Sequence, residues 1–385
     1  MSPQVSWSIR SLLGPVVARL LIYGASPFDL ERVLRRIAEM PLRSVRQLET
    51  RWLDEWEALA RAWSERSQEA IRLGHRLTAQ NLSLQAAACR LAQFLINTGD
   101  VSHKRNVYLQ YCEAYRVVAS HLDPPAVAVE IPLERRAPLA AVLHLPRGTG
   151  PHPCVAIMSG LGSCKEEMHT LARVMAERGL SALVPDMPGC GESLFRSNLT
   201  CDAAHLSSAF RGLADFVERR PDLDPVRLGA AGLCMGGGYA YRACSEDSRY
   251  HFCVGLFPLF VDRVNDTVTP QWMKSGEWFD LQTGGKGSAE FLADVGWRDD
   301  DRIACPFFLV HGKHDNWMTL DRAMMLYQRA SSPDRKLLVV DEEPAYSSGQ
   351  AVTHTMPVGE QLSWIGPVVA DWIAGLAGIA GQGSA

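Results

Sequence analysis

Residues 226–238 read VRLGAAGLCMGGG, and this stretch decides the fold. The apolar run Val226–Leu233 predicts a buried strand, and a predicted helix over residues 237–244 follows it at once. The turn between them is G-x-C-x-G, a pattern that holds a nucleophile in strained backbone geometry and needs glycine two positions away on either side. The sulfur of Cys234 would then lie at a helix N-terminus, which favours the thiolate. An inert cysteine in a glycine-rich turn would give the same heptapeptide, so the motif alone does not decide the chemistry.

Two partners for Cys234 follow in chain order. Asp315 comes just after the apolar run Phe307–Val310, where the acid of a catalytic triad would lie, and His354 is the only histidine beyond it. Asp315 could instead cap the next turn, and His354 could lie on a surface loop. The order nucleophile, acid, base on the expected elements nevertheless predicts a Cys234–Asp315–His354 catalytic triad.

Backbone N–H groups that bind an oxyanion would complete such a site. The apolar run Cys154–Met158 ends in SGLGSCKEE at residues 159–167, and the N–H groups of Leu161 and Met235 are the predicted donors. Both donors are main-chain groups, so residue identity says little, and a plain strand–helix turn is the alternative. We expect neither a metal nor a cofactor, because the sequence contains no CxxC pair and no phosphate-binding loop.

Residues 126–385 alternate between short apolar runs and helical stretches. After a hairpin over residues 127–145, buried strands are predicted at Cys154–Met158, Ala182–Pro185, Val226–Leu233, Phe252–Leu256, Phe307–Val310 and Leu337–Val340. Helices are predicted between most of them, at Glu166–Arg178, Ala203–Arg219, Gly237–Cys244, Leu320–Ala330 and Gln361–Leu376. This alternation predicts an α/β fold in which helices cover both faces of a mostly parallel sheet. Residues 260–303 are too long for an ordinary connection and are expected to be an insertion near the active site.

Residues 1–125 show helical spacing and no strand pattern, which predicts an all-helical domain. Asp29 is expected to cap the first clear helix, whose apolar stripe is Leu30, Val33, Leu34 and Ile37. A second helical stripe contains Trp52, Trp56 and Trp63, and the insertion contains Trp272, Trp278 and Trp297. These tryptophans favour an apolar or aromatic substrate, although core packing is the commoner role for a helical stripe.

Composition excludes several classes of protein. The chain has 385 residues, 47% of them hydrophobic and 21% charged, with a net charge of −4, which is ordinary globular composition and argues against nucleic-acid binding. No apolar run approaches the roughly 20 residues of a membrane span. The N-terminal stretch is expected to be an amphipathic helix and not a signal peptide. The ten cysteines are dispersed, so we expect reduced thiols in the cytoplasm.

Residues 126–377 resemble the α/β-hydrolase superfamily in strand order, in the turn around Cys234 and in triad order. The helical N-terminal domain, SGLGSCKEE at 159–167 and DMPGCGES at 186–193 together resemble the 2,6-dihydroxypseudooxynicotine hydrolase group, and fermentation–respiration switch proteins are similar. The resemblance covers nearly the whole chain. It implies a helical domain that caps the active site, a homodimer, and a hydrolase that can cleave a carbon–carbon bond beside a ketone.

The same resemblance implies a functional role for Glu192, because the glutamate of the matching turn is implicated in function in that group. Glu192 could orient a water molecule or hold a substrate hydroxyl, whereas Asp186 and Ser193 are expected to hold the turn. Serine is the usual nucleophile of the group, so Cys234 departs from it. In this respect the chain is similar to dienelactone hydrolase. The substrate of the resembled group therefore cannot be assigned to this chain.

A cysteine nucleophile narrows the chemistry to activated acyl groups. Thiolate is a better leaving group than alkoxide, so an enolate, a thiolate or an enol-lactone oxygen must leave if the thioester is to form. The leading hypothesis is a hydrolase of a lactone, thioester or β-dicarbonyl compound. An acyltransferase or cyclase with the same triad is the alternative, and a non-catalytic binding module is a third possibility. The expected partners are a small-molecule substrate and a second copy of the chain.

Overall fold

The computed structural model describes residues 16–39, 44–96, 100–259, 276–296, 298, 300–342, 354 and 361–379. These residues form two compact units, and the chain passes from the first to the second between Pro125 and Ala126. Outside the described residues lie most of the N-terminal stretch predicted to be an amphipathic helix, residues 260–275 of the predicted insertion, Trp297 and the neighbours of His354.

The first unit is helical throughout its described residues, as the sequence pattern predicts. Residues 16–22 are helical, and four longer helices follow: α1 (Pro27–Ala38), α2 (Val45–Arg72), α3 (Arg76–Ile96) and α4 (Val101–His121). Trp52 and Trp56 of α2 are fully buried, and their rings lie 5.6 Å apart. These two members of the tryptophan stripe are therefore core residues of this unit.

The expected cap of α1 is wrong by three residues. The N-cap is Ser26, whose hydroxyl accepts from the backbone N–H of Asp29, and Pro27 occupies the first turn. The Asp29 carboxylate is buried and instead accepts from the indole N–H of Trp63 at 2.8 Å. A proline in the first helical turn is a stronger start signal than an acidic residue, because its missing N–H would have no helical partner there.

The second unit is built on one eight-stranded sheet. Its strands are β1 (Val127–Leu133), β2 (Arg136–His144), β3 (His152–Met158), β4 (Ser181–Pro185), β5 (Leu223–Leu233), β6 (Cys253–Leu256), β7 (Phe307–Gly312) and β8 (Arg335–Val340). Their spatial order is β1-β2-β4-β3-β5-β6-β7-β8. Strand β2 pairs antiparallel with β1 and β4, and the remaining pairs are parallel. The mostly parallel sheet and the opening hairpin are thus confirmed.

Helices lie between the strands of this unit. They are α5 (His169–Ala176), α6 (Gly191–Phe195), α7 (Ala203–Glu218), α8 (Met235–Glu246), α9 (Glu277–Thr283), α10 (Ser288–Val295), α11 (Leu320–Arg329) and α12 (Leu362–Leu376), with a 3₁₀ turn at Lys165–Met168 before α5. Five of them match the predicted helices to within a few residues, while α6, α9 and α10 are additions. Within the described residues, no helix combines the length and the apolar character that a membrane span requires.

Candidate active site

Cys234 occupies the sharp turn between β5 and α8. Its backbone has φ 55° and ψ −127°, a conformation that a non-glycine residue rarely adopts. A Cβ on Gly232 would lie 2.0 Å from the carbonyl oxygen of Gly236, and a Cβ on Gly236 would lie 2.0 Å from that of Met158. The two glycines of G-x-C-x-G are therefore required by close backbone approaches, which hold the half-buried Cys234 at the end of the strand.

His354 lies between Cys234 and Asp315. Its Nε2 is 3.2 Å from the Cys234 sulfur, and its Nδ1 is 2.6 Å from Oδ2 of Asp315. An ionised carboxylate can only accept, so Nδ1–H donates to Asp315 and Nε2 faces the sulfur. The three residues predicted from chain order are thus brought together in one line of hydrogen-bonding groups.

Asp315 also holds the turn that follows β7. Its Oδ1 accepts from the backbone N–H groups of Trp317 and Met318, both at 2.9 Å, while Oδ2 faces His354. The two interpretations of Asp315, turn cap and partner of the histidine, therefore hold at once. The turn fixes the orientation of the carboxylate, and the carboxylate in turn orients the imidazole.

The charged forms of His354 and Asp315 stabilise each other. Burial opposes the charged form of His354, but Asp315 and the Cys234 sulfur outweigh it and raise the pKa of the imidazole from 6.5 to about 10. Burial likewise opposes ionisation of Asp315, yet His354, His311 and the N–H of Met318 lower the pKa of the carboxyl. A buried acid–base pair with shifted pKa values is the arrangement expected of proton-transfer chemistry.

Two aromatic rings flank the imidazole of His354. Trp317 stacks on it with 5.3 Å between ring centroids and 22° between planes, and Phe257 meets it edge-on at 5.9 Å and 87°. Sequence patterns single out neither residue. Trp317 could have been found, because it stands two positions after the predicted acid.

The loop after β3 lies against the sulfur of Cys234. A Cβ on Gly160 would be only 3.3 Å from both Cβ and Sγ of Cys234, so the loop approaches this closely because residue 160 is glycine. The backbone N–H groups of Leu161 and Met235 donate to no partner among the described residues. Both predicted oxyanion donors are therefore available beside the turn, one next to Gly160 and the other next to Cys234.

Glu192 belongs to a buried cluster of charges around Lys165. The Lys165 ammonium lies 2.7 Å from Glu166, 2.8 Å from Asp186 and 2.8 Å from Glu192. The other oxygen of Glu192 is 2.8 Å from Arg196. Both oxygens of the Glu192 carboxylate therefore already have cationic partners.

Two further features concern the charge of the cluster and the turn at residues 186–193. Burial raises the pKa of Glu166 despite the nearby ammonium, so this carboxyl retains its proton more readily than an exposed glutamate. Asp186 accepts from the N–H groups of Lys165 and Glu192, each at 2.8 Å, and Ser193 accepts from that of Ala140. Asp186 and Ser193 thus hold the turn, as predicted. Sequence patterns give no sign that Lys165 is buried, since K-E-E is an ordinary start of a surface helix.

The tryptophan of the insertion that the structure describes is a packing residue. Trp278 of α9 is buried and stacks on Phe195 of α6, with 5.5 Å between centroids and 29° between planes. Trp272 and Trp297 lie outside the described residues. Trp317, in contrast, stacks on a predicted site residue, His354.

Comparison with known proteins gives a consistent family. The family model "Esterase FrsA-like" matches residues 35–274. The 2,6-dihydropseudooxynicotine hydrolase of Paenarthrobacter nicotinovorans is 28% identical over 300 residues, which are 77% of this chain and 77% of that protein. Esterase FrsA of Enterobacter sp. (strain 638) is 29% identical over 54% of this chain, which spans about half of its length (49%).

A solved structure agrees in fold. The crystal structure of the 2,6-dihydroxy-pseudo-oxynicotine hydrolase superposes with a TM-score of 0.76 at 23% identity, and the match covers 94% of this chain and 96% of that one. At this identity the similarity shows the fold alone.

Proposed function

The chain belongs to the FrsA-like esterase family and is an enzyme of the α/β-hydrolase type, and we propose that it hydrolyses an activated carbonyl compound through a thioester on Cys234. The substrate class is a lactone, a thioester or a β-dicarbonyl compound with apolar or aromatic substituents. The observation that carries the proposal is the line of hydrogen-bonding groups from the Cys234 sulfur through His354 to Asp315, with separations of 3.2 Å and 2.6 Å.

Acylation begins from the state in which Nε2 of His354 already holds the proton of the Cys234 thiol, which the raised pKa of the imidazole favours. The sulfur of Cys234 then attacks the carbonyl carbon. The carbonyl oxygen becomes an oxyanion, which the N–H groups of Leu161 and Met235 would bind. Asp315 stabilises the imidazolium during this step. The tetrahedral adduct then collapses, the bond to the leaving group breaks, and His354 gives its proton to the departing oxygen, sulfur or enolate carbon.

Deacylation follows the same steps, with water as the nucleophile. His354 takes a proton from water, the hydroxide oxygen attacks the thioester carbon, and the same N–H groups bind the second oxyanion. Collapse releases the free acid, and the imidazolium returns its proton to the sulfur of Cys234. Water and substrate are consumed one for one, so no further reactant is needed.

The leaving group decides which substrates react. The first tetrahedral adduct can expel either the thiolate or the original leaving group, and it expels the more stable anion. Enolates, thiolates and aryl oxides compete well with a thiolate, whereas alkoxides and amide nitrogens do not. The proposal therefore predicts a steep fall in rate from enol lactones and thioesters to alkyl esters.

Similarity to a hydrolase and to esterases favours water over another acceptor. An acyltransferase or cyclase would use the same residues and differ only in excluding water from the thioester. The cap role of the helical unit, the homodimer and a role for Glu192 in substrate binding are implied by the family alone, and they remain parts of this proposal. Sedimentation of the full chain tests the dimer directly.

Steady-state hydrolysis of a graded panel of substrates tests the function. The panel contains an enol lactone, an aryl ester, an acyl thioester and an ethyl ester of one apolar acid, assayed with wild type, Cys234→Ala and Cys305→Ala. Cys305 is the other cysteine that is not fully buried, so its variant is the matched control. We expect turnover of the first three substrates by wild type and Cys305→Ala alone, and a new ester or amide in place of free acid would instead identify a transferase. Equal turnover by Cys234→Ala would refute the proposed nucleophile.

A further inference from the structure

We propose that Gln282 is a positioning residue, which holds the loop after β3 so that the N–H of Leu161 faces the oxyanion formed at Cys234. This inference rests on the proposed function, because an oxyanion forms only if Cys234 attacks a carbonyl group. Gln282 lies on α9, inside the insertion of residues 260–303, and sequence patterns do not single it out.

The side-chain amide of Gln282 joins two loops. Its Nε2 donates to the carbonyl oxygen of Leu161 and, at 3.0 Å, to that of Gly189. Its own backbone carbonyl accepts from the N–H of Cys201 at 2.7 Å. The Gln282 side chain is fully buried, so no water screens these hydrogen bonds. One side chain therefore ties α9 to the loop beside Cys234 and to the turn after β4.

The orientation of the Leu161 N–H follows from the carbonyl groups around it. In a trans peptide the N–H of Leu161 points opposite to the carbonyl of Gly160. That carbonyl accepts from the N–H of Ser163 at 3.1 Å and from the thiol of Cys190 at 3.6 Å. Gln282 fixes the next carbonyl, that of Leu161 itself. The thiol of Cys190 lies 3.6 Å from this carbonyl as well, so both carbonyls face the same sulfur. The N–H of Leu161, opposite to the Gly160 carbonyl, therefore points away from that sulfur.

The close approach of this loop to Cys234 makes its position critical. A Cβ on Gly160 would lie 3.3 Å from the Cys234 sulfur, so the peptide that carries the predicted donor is in van der Waals range of the nucleophile. Misplacement of a reacting group by about 1 Å can cost about 100-fold in rate. The loop itself is rich in glycine, and Gln282 supplies the side-chain restraint that glycines lack.

The amide is retained at a cost in hydrogen bonding. Oε1 of Gln282 is buried and has no partner among the described residues. An apolar side chain of similar size would avoid an unpaired buried oxygen, so the two donations by Nε2 are what distinguishes glutamine at this position. The geometry thus points to the donors of Gln282, and not to its bulk, as the functional feature.

Two reactions of Cys234 separate positioning from simple loss of structure. Acylation by an aryl ester develops an oxyanion, whereas alkylation by iodoacetamide is a displacement at a saturated carbon and develops none. Gln282→Met keeps the length of the side chain and removes both donors. We expect its acylation rate to fall at least about tenfold, since loss of an oxyanion donor costs about 100- to 1000-fold, while alkylation stays within about twofold.

Gln85→Leu is the matched control. Gln85 bridges a loop of the helical unit in the same manner, donating to the carbonyl of Gly24 at 2.8 Å and accepting from the N–H of Ser26 at 3.1 Å. Both rates should be unchanged in this variant. If Gln282→Met fails to fold, Gln282→Asn retains an amide but shortens its reach, and it should show the same selective loss of acylation.

The outcomes distinguish the two proposals. Acylation of Gln282→Met or Gln282→Asn at the wild-type rate would overturn the role of Gln282 and leave the proposed function intact. Equal losses of acylation and alkylation would also overturn it, since the nucleophile and not the oxyanion loop would then be disturbed. If iodoacetamide alkylates Cys234 of the wild type but an aryl ester never acylates it, the proposed function itself would be refuted.

Discussion

Asp315→Asn should keep the turn after β7 and remove the charge that stabilises His354. The asparagine carbonyl can still accept from the N–H groups of Trp317 and Met318, as Oδ1 of Asp315 does now. The asparagine NH₂ then faces Nδ1 of His354 as a donor, so Nδ1 must accept and the ring proton moves to Nε2. Because Nε2 then carries a proton toward the sulfur, it can no longer take one from Cys234.

The size of the effect follows from the charge that is lost. With roughly 4 Å between the centres of charge and an effective dielectric constant of about 20, the Asp315–His354 attraction is about 4 kcal/mol, which is about 1000-fold in proton affinity. The pKa of His354 should therefore fall from about 10 to near its ordinary 6.5. In a triad, asparagine in place of the acid lowers kcat by about 10⁴-fold, so we expect a loss of about 10³- to 10⁴-fold.

Aryl ester hydrolysis near neutral pH measures the loss, and an NMR titration of the His354 ring measures its pKa. The His354→Gln spectrum identifies the signal by its absence. Asp341→Asn is the matched control, since that carboxylate is exposed and pairs with Lys313 at 2.7 Å. Hydrolysis by Asp315→Asn within about fivefold of wild type, with a titration still near pH 10, would refute the assigned role of Asp315.

Three further predictions concern the turn and the histidine. Gly160→Ala should slow hydrolysis about tenfold, because its Cβ would lie 3.3 Å from the sulfur of Cys234. Gly375→Ala is the control, since there is open space around its Cβ. It should retain the wild-type rate of hydrolysis and stabilise α12 by about 0.5–1 kcal/mol in urea unfolding. Gly232→Ala should lower the free energy of unfolding by more than about 4 kcal/mol, since its Cβ would meet a backbone oxygen at 2.0 Å, and a folded, active variant would contradict this. The folded-state pKa of His354 is raised, so the stability lost in His354→Gln should be largest below pH 6.5 and should shrink as the pH rises through about 10; a loss that grows with pH in urea titrations would contradict the shift.

The centre of the sheet could be predicted because its strands are buried on both faces. Such strands appear as continuous apolar runs, and the predicted Val226–Leu233 differs from β5 (Leu223–Leu233) only at its polar beginning. The turn around Cys234 was equally visible, because close backbone approaches at Gly232 and Gly236 exclude every larger side chain. Positions at which close backbone contacts admit only glycine therefore produce a recognisable sequence pattern.

Features fixed by tertiary packing leave no such pattern. Helix α6 has five residues, too few to show a period, and α9 lies in a polar stretch that resembles a loop. Lys165 and Gln282 are buried polar residues that bind partners on other loops, at Asp186 and Gly189 respectively, so no local spacing of residues predicts their burial. The cap of α1 was misplaced because an acidic residue in a first turn and a true N-cap look alike in sequence.

Intact-mass spectrometry of the enzyme during turnover tests most directly whether a thioester forms on Cys234. Wild type is mixed with an apolar enol lactone or aryl ester and quenched in acid within one turnover. We expect a mass gain equal to one acyl group, located on Cys234 by peptide mapping, absent in Cys234→Ala, and decaying in buffer as free acid appears. Full turnover with no acyl adduct at any quench time, or an adduct on another residue, would contradict a thioester on Cys234.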